Sequence, residues 1–211
     1  MNSLTSIKNL NLFISIYVEN ESISSLSSNS TIIKDSNSNT HVYEQGREYK
    51  TQYIYIYIYI CGAIFQGNAE AGLGAIIQND CGLVMVVLTQ VIPLPISVEI
   101  VEVLAARRAL IFALELGFDQ VILEGNSEIA IRAMNSDDYM AAPFGHLIAD
   151  IKALAPHFRS LVFYHTRRLG NKVAHSLARE ACNVSSSFCS WIEEVPVCTY
   201  ANYSAEIINS T

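Results

Sequence analysis

The chain has 211 residues and a net charge of -7, a length that suits one domain of ordinary size with further chain around it. That acidic balance excludes a protein that coats nucleic acid by global electrostatics and leaves room only for a local cationic face. No stretch of about eighteen consecutive apolar residues occurs, which excludes a simple membrane-spanning helix.

The first segment, residues 1–52, is dominated by Ser, Asn, Ile, Thr and Lys without helical or strand period, a composition that predicts disorder. Its apolar run at 10–18 is preceded by Lys8 and followed by Glu and Ser, too short and too weakly basic in front for a secretory signal. Residues 53–60 then repeat Tyr-Ile four times. Tyr and Ile alternating along an extended backbone predict a strand with one all-Ile face and one all-Tyr face. Left unpaired, a strand so flat and uncharged would aggregate. The run is also what a TA dinucleotide repeat encodes through the codons TAT and ATA, so residues 1–60 are a candidate for non-coding sequence read into the protein.

From Cys61 the pattern becomes regular. Residues 61–65 end a first strand, 71–78 form a small apolar second, and 83–90 a β-branched third, with Asn79, Asp80, Cys81 and Gly82 as a tight turn. Pro93 and Pro95 break this pattern, and Ser97 suits the N-cap of a long helix over 98–116 closed by Gly117. A short strand at 120–123 leads through Glu124, Gly125 and Asn126 into a helical pattern at Ile129, Ile131, Ala133 and Met134. A helix over 143–155, a strand over 161–165 and a helix over 171–182 capped by Asn171 follow. The order β-β-β-α-β-α-α-β-α predicts an α/β fold with a mixed five-stranded sheet and helices on its faces.

Charge is unevenly placed along these elements. Between Pro156 and Cys182, Arg159, Arg167, Arg168, Lys172 and Arg179 face only Glu180, so that segment is +4 and the remainder -11. It is either a solvated helix face or a phosphate-contacting surface. The five cysteines, Cys61, Cys81, Cys182, Cys189 and Cys198, form no C-x-x-C pair. They suit free thiols in a reducing, intracellular compartment, cytoplasmic or nuclear, rather than a structural zinc site.

Four words in order carry a resemblance. They are Glu102-Val103-Leu104-Ala105-Ala106-Arg107-Arg108-Ala109-Leu110, Leu123-Glu124-Gly125-Asn126-Ser127, Gly170-Asn171-Lys172-Val173-Ala174-His175-Ser176-Leu177-Ala178-Arg179, and Trp191-Ile192-Glu193-Glu194-Val195-Pro196. Over about Cys61 to Pro196 the chain resembles the ribonuclease H-like domains of plants that are related to the ribonuclease H portion of non-LTR retrotransposons. The resemblance implies a domain over 53–183 and a C-terminal tail over 184–211. It also implies endonucleolytic hydrolysis of the RNA strand of an RNA:DNA hybrid, with Mg²⁺ or Mn²⁺ as cofactor. In such enzymes two divalent ions about 3.5 to 4 Å apart activate water and stabilise the leaving oxygen, and hard ions want carboxylates.

Only one of the four implied acids stands. Cys61 occupies the place of the first, before Gly62-Ala63, where a neutral thiol cannot bridge two hard cations. Its ordinary role is that of a small buried apolar residue. Glu102 matches the second acid and is a metal-ligand candidate, with Glu99 one turn earlier as a helix-dipole acid. Asn126 replaces the third, keeping one oxygen donor for weak metal contact and suiting equally the N-cap of the next helix. His175 stands at the fourth, able to relay a proton or meet a phosphate but a poor Mg²⁺ ligand. Arg167, Arg168, Lys172 and Arg179 are the candidates for contacting a hybrid backbone by charge. Weak or absent turnover is expected. A non-catalytic nucleic-acid-binding module and a relic of a transposon-derived gene stay open beside it, as does the oligomeric state.

Overall fold

The computed structural model describes residues 30–34, 40–44, 47–50 and 55–210, with side chains over 55–205. The chain divides into two units, Met1–Ile54 and Tyr55–Thr211. In the first, β1 (Ser30–Lys34), β2 (Thr40–Glu44) and β3 (Arg47–Lys50) form an antiparallel sheet in that order. These strands lie inside the segment whose composition predicts disorder, and the rest of that segment lies outside the described residues.

The second unit is a mixed α/β domain. The strands β4 (Ile56–Phe65), β5 (Glu70–Gln78) and β6 (Val84–Pro93) form the expected antiparallel meander. After helix α1 (Val98–Glu115), strand β7 (Gln120–Gly125) pairs parallel with β4. Helices α2 (Glu128–Asn135) and α3 (Gly145–Leu154) lead to β8 (Ser160–His165), parallel to β7, and then to α4 (Lys172–Glu180). The five strands expected become six: β9 (Phe188–Ile192), inside the segment assigned to a tail, pairs antiparallel with β6. The sheet order is β8-β7-β4-β5-β6-β9, and α5 (Val197–Ser210) closes the chain.

The Tyr-Ile repeat makes β4 the pivot of this sheet. Over Tyr57–Ile60 the repeat is paired with β5 on one side and β7 on the other, which removes the aggregation hazard of an unpaired flat strand. Ile56, Ile58 and Ile60 are buried, while Tyr59 packs against the apolar cluster of Val173, Ala174, Leu177 and Ala178 on α4. Both faces are therefore covered by helices, as a strand carrying two apolar faces requires.

Helix α1 starts where Ser97 Oγ accepts the Ile100 N–H at 3.4 Å, and its chain reverses at Gly117 with φ +83°, a left-handed turn that glycine makes without strain. Small residues then set how closely the layers approach. A β-carbon at Gly74 would overlap Ala178 N and Ala174 O, and one at Gly72 would overlap Ala178 O. Thr89 Oγ1 on β6 donates to Leu177 O at 2.7 Å. This contact seats α4 directly on β5 and carries its first turns, with His175, over Cys61 of β4.

Candidate functional site

Three of the four positions meet in space. Cys61 on β4 is 2% exposed, with Sγ 3.4 Å from His175 Nδ1 on α4 and its thiol directed to Glu102 Oε1 on α1 at 3.9 Å. Strand alternation turns Gly62 to α1, where its missing side chain admits Val101, and turns Cys61 to α4. Glu102 is buried, on a helix whose other buried residues are all apolar.

Burial dominates the electrostatics of this cluster. It pushes the Cys61 thiol up to about 12, and the charge of Glu102 adds to the rise. It pushes Glu102 up to about 7, against the Gly62 N–H and the positive charge of Arg168. Glu102 Oε2 is buried without a hydrogen-bond partner, an arrangement that penalises the ionised form. His175 is held below its ordinary value, first by burial and then by Arg168 and Arg179. Burial thus favours the neutral form of all three groups.

Asn126 joins through a residue the sequence assigned elsewhere. Asn171, expected as the N-cap of α4, makes no side-chain cap bond. Instead its Nδ2 donates to Ile60 O at 2.7 Å and to Asn126 Oδ1 at 3.1 Å, because a buried amide takes the acceptors within reach. Nor does Asn126 cap α2: Ser127 Oγ accepts the Ala130 N–H at 3.3 Å. Asn171 thus ties the middle of β4 to the residue that follows β7, beside Cys61. Glu124 is raised by burial, with Thr166 opposing.

The cations separate into distinct groups. Arg159 pairs with Asp119 at 3.3 Å and leaves the candidate surface. Arg168 and Lys172 line a cleft of about 350 Å³ with Leu169, His175, Ser176 and Asn202. Arg167 and Arg179 are exposed and stand outside its lining. Ser176 and Asn202 were not legible as site residues: the serine stands inside the Gly170–Arg179 word without a role of its own, and an asparagine in the tail carries no motif.

The buried carboxyl makes stability pH-dependent. Glu102 has a folded pKa near 7 against an ordinary value of 4.5, so its contribution is fully present below pH 4.5 and lost as pH rises through 7. The shift corresponds to about 3 kcal/mol. His175, with its pKa lowered, works in the opposite sense, its contribution being lost as pH falls below its ordinary value. Glu102→Gln is therefore expected to remove the loss of stability between pH 4.5 and pH 7. Urea denaturation of both proteins across that window checks this, and parallel curves would contradict it.

Residues 61–181 match the family model described as reverse transcriptase-like. The chain belongs to that family. As a ribonuclease H-like domain it superposes on ribonuclease H1 of the halophilic archaeon Halobacterium salinarum with TM-score 0.54 at 24% identity, covering 61% of this chain and 98% of that one. The N-terminal ribonuclease H domain of a Mycobacterium tuberculosis protein gives 0.55 at 23%, covering 62% and 94%. LC11-RNase H1, solved in complex with an RNA/DNA hybrid, gives 0.54 at 28%, covering 61% and 96%. No match among curated proteins was found. Among the described residues no helix is long and apolar enough to cross a membrane.

The ribonuclease H-like site does not fit the paired divalent cations that the family resemblance implies. Its donor set is one carboxyl with a raised pKa, a thiol held protonated, an imidazole and two amides that bond each other. Two adjacent hard cations need several ionised oxygen ligands to offset their charge. Among the described residues no group of three or more His, Cys, Asp or Glu is placed to hold a metal ion.

Proposed function

We propose that this domain binds nucleic acid of the RNA:DNA hybrid class and, with Mg²⁺ or Mn²⁺ as the nominal cofactor, hydrolyses it weakly or not at all. The observation that carries this reading is the place of Cys61, buried and within 3.4 Å of His175 and 3.9 Å of Glu102, where cleavage calls for a bridging carboxylate. Binding is supported by Arg167, Arg168, Lys172 and Arg179 on a chain that is otherwise acidic, with Arg168 and Lys172 lining the cleft next to His175. LC11-RNase H1 holds an RNA/DNA hybrid on the same fold. Charge on a helix and its preceding loop meets backbone phosphates without reading bases.

The logarithm of hybrid affinity is accordingly expected to fall linearly with the logarithm of salt concentration, with a slope of roughly 0.9 per phosphate neutralised. Arg168→Glu together with Lys172→Glu should lower that slope by roughly two and weaken binding at least about tenfold. Fluorescence anisotropy over a salt series measures both. A slope that does not move would refute a hybrid seated on this face.

A further inference from the structure

The cleft beside the cluster is chemically one-sided. Its lining is Arg168, Leu169, Lys172, His175, Ser176 and Asn202, with no carboxylate, on a chain whose net charge is -7. Two of its walls come from different elements, α4 and the C-terminal helix α5. Asn202 Nδ2 donates to Ser176 Oγ at 2.6 Å, which fixes the serine oxygen on the cleft wall, and a hydroxyl so engaged still carries one proton of its own. Helix α5 is held in place for this: Thr199 is fully buried and Tyr203 packs against the cluster that includes Val173, Leu177 and Ala178. An oxyanion seated here would meet two cations and a hydroxyl proton, and would stand beside His175, whose Nδ1 touches Cys61.

We propose that this cleft seats one phosphate group of a bound nucleic-acid backbone, contacted by Arg168, Lys172, His175 and Ser176, with Asn202 of α5 orienting the serine. The inference rests on the hybrid-binding reading and deepens it, because it gives residues outside the 61–181 family match a share in binding. Arg167 and Arg179 are left to more peripheral contacts. The lowered pKa of His175, caused after burial by Arg168 and Arg179, agrees with a local positive field that an anion would relieve.

The full chain tests this with Asn202→Asp, a near-isosteric change that places a negative charge at the cleft, and with Asn68→Asp, the same charge change on an exposed turn. Asn202→Asp should weaken hybrid binding about tenfold and lower the salt slope by roughly one, while Asn68→Asp stays within about twofold. Ser176→Ala should weaken binding about threefold at nearly constant slope, and Ser176→Thr should restore it. Thermal midpoints confirm that each variant is folded, and if Asn202→Asp fails to fold, Arg168→Gln serves in its place with the same expected loss of slope. A second arm follows the His175 ring signals by NMR while hybrid, or inorganic phosphate at constant ionic strength, is added. Movement with hybrid alone assigns the seat to the diester backbone, and movement with both assigns it to phosphate generally. If the hybrid binds but Asn202→Asp behaves like Asn68→Asp, the cleft assignment fails while the hybrid reading stands. If no hybrid binds yet phosphate moves His175, the hybrid reading fails and the anion seat stands. Silence of His175 toward both overturns the proposal.

Discussion

Cys61→Asp combined with Asn126→Asp is expected to raise Mg²⁺-dependent cleavage of an RNA:DNA hybrid at least about a hundredfold over the unaltered chain, roughly 2.7 kcal/mol of barrier. Cys61 lies against Glu102 and Asn126 joins the cluster through Asn171, and the pair of new carboxylates would give the site the ionised oxygens it lacks. Each single change should do little, since groups that act as a unit are strongly non-additive. The double variant carries a second signature. Two added acids near a buried Glu102 repel one another, so the variant should be less stable than the parent in chelator and recover stability when Mg²⁺ is supplied. A folded double variant that neither cuts hybrid nor responds to Mg²⁺ would remove the explanation built on these two residues.

Gly74→Ala is expected to cost roughly 3 kcal/mol of stability. A β-carbon there collides with backbone atoms of Ala174 and Ala178, and backbone cannot step aside as the end of a flexible side chain can. Because α4 carries His175 and faces Cys61, a displaced α4 should also disturb the cleft, so hybrid binding should fall with stability. Urea midpoints at an unchanged slope measure the first effect. A loss below about 0.5 kcal/mol, the range of ordinary surface changes, would mean that α4 is less tightly seated than described.

Local chemistry made much of this fold legible. The Ser97 cap, the left-handed Gly117 and the alternation of Tyr and Ile each act within a few residues, and the helix α1 and strand β4 stand where those signals place them. The sixth strand was hidden because Phe188, Cys189, Ser190, Trp191 and Ile192 lack strict alternation. What makes them a strand is pairing with β6, about a hundred residues earlier in the chain. Asn171 stands at the N-cap position as expected, but the partners of its side chain were hidden for a similar reason: only the fold brings Ile60 O and Asn126 within its reach. Among the site residues, the meeting of Cys61, Glu102 and His175 was anticipated by the resemblance rather than by any pattern of spacing. Ser176 and Asn202 come together only because α5 packs on α4.

The most direct test is a single-turnover assay of the unaltered protein at concentrations where salt-sensitive hybrid binding has been demonstrated, with Mg²⁺ and then Mn²⁺ present. The hybrid should be bound and remain intact. Rapid appearance of RNA fragments with 5'-phosphate and 3'-hydroxyl ends, abolished by Glu102→Gln, would contradict it.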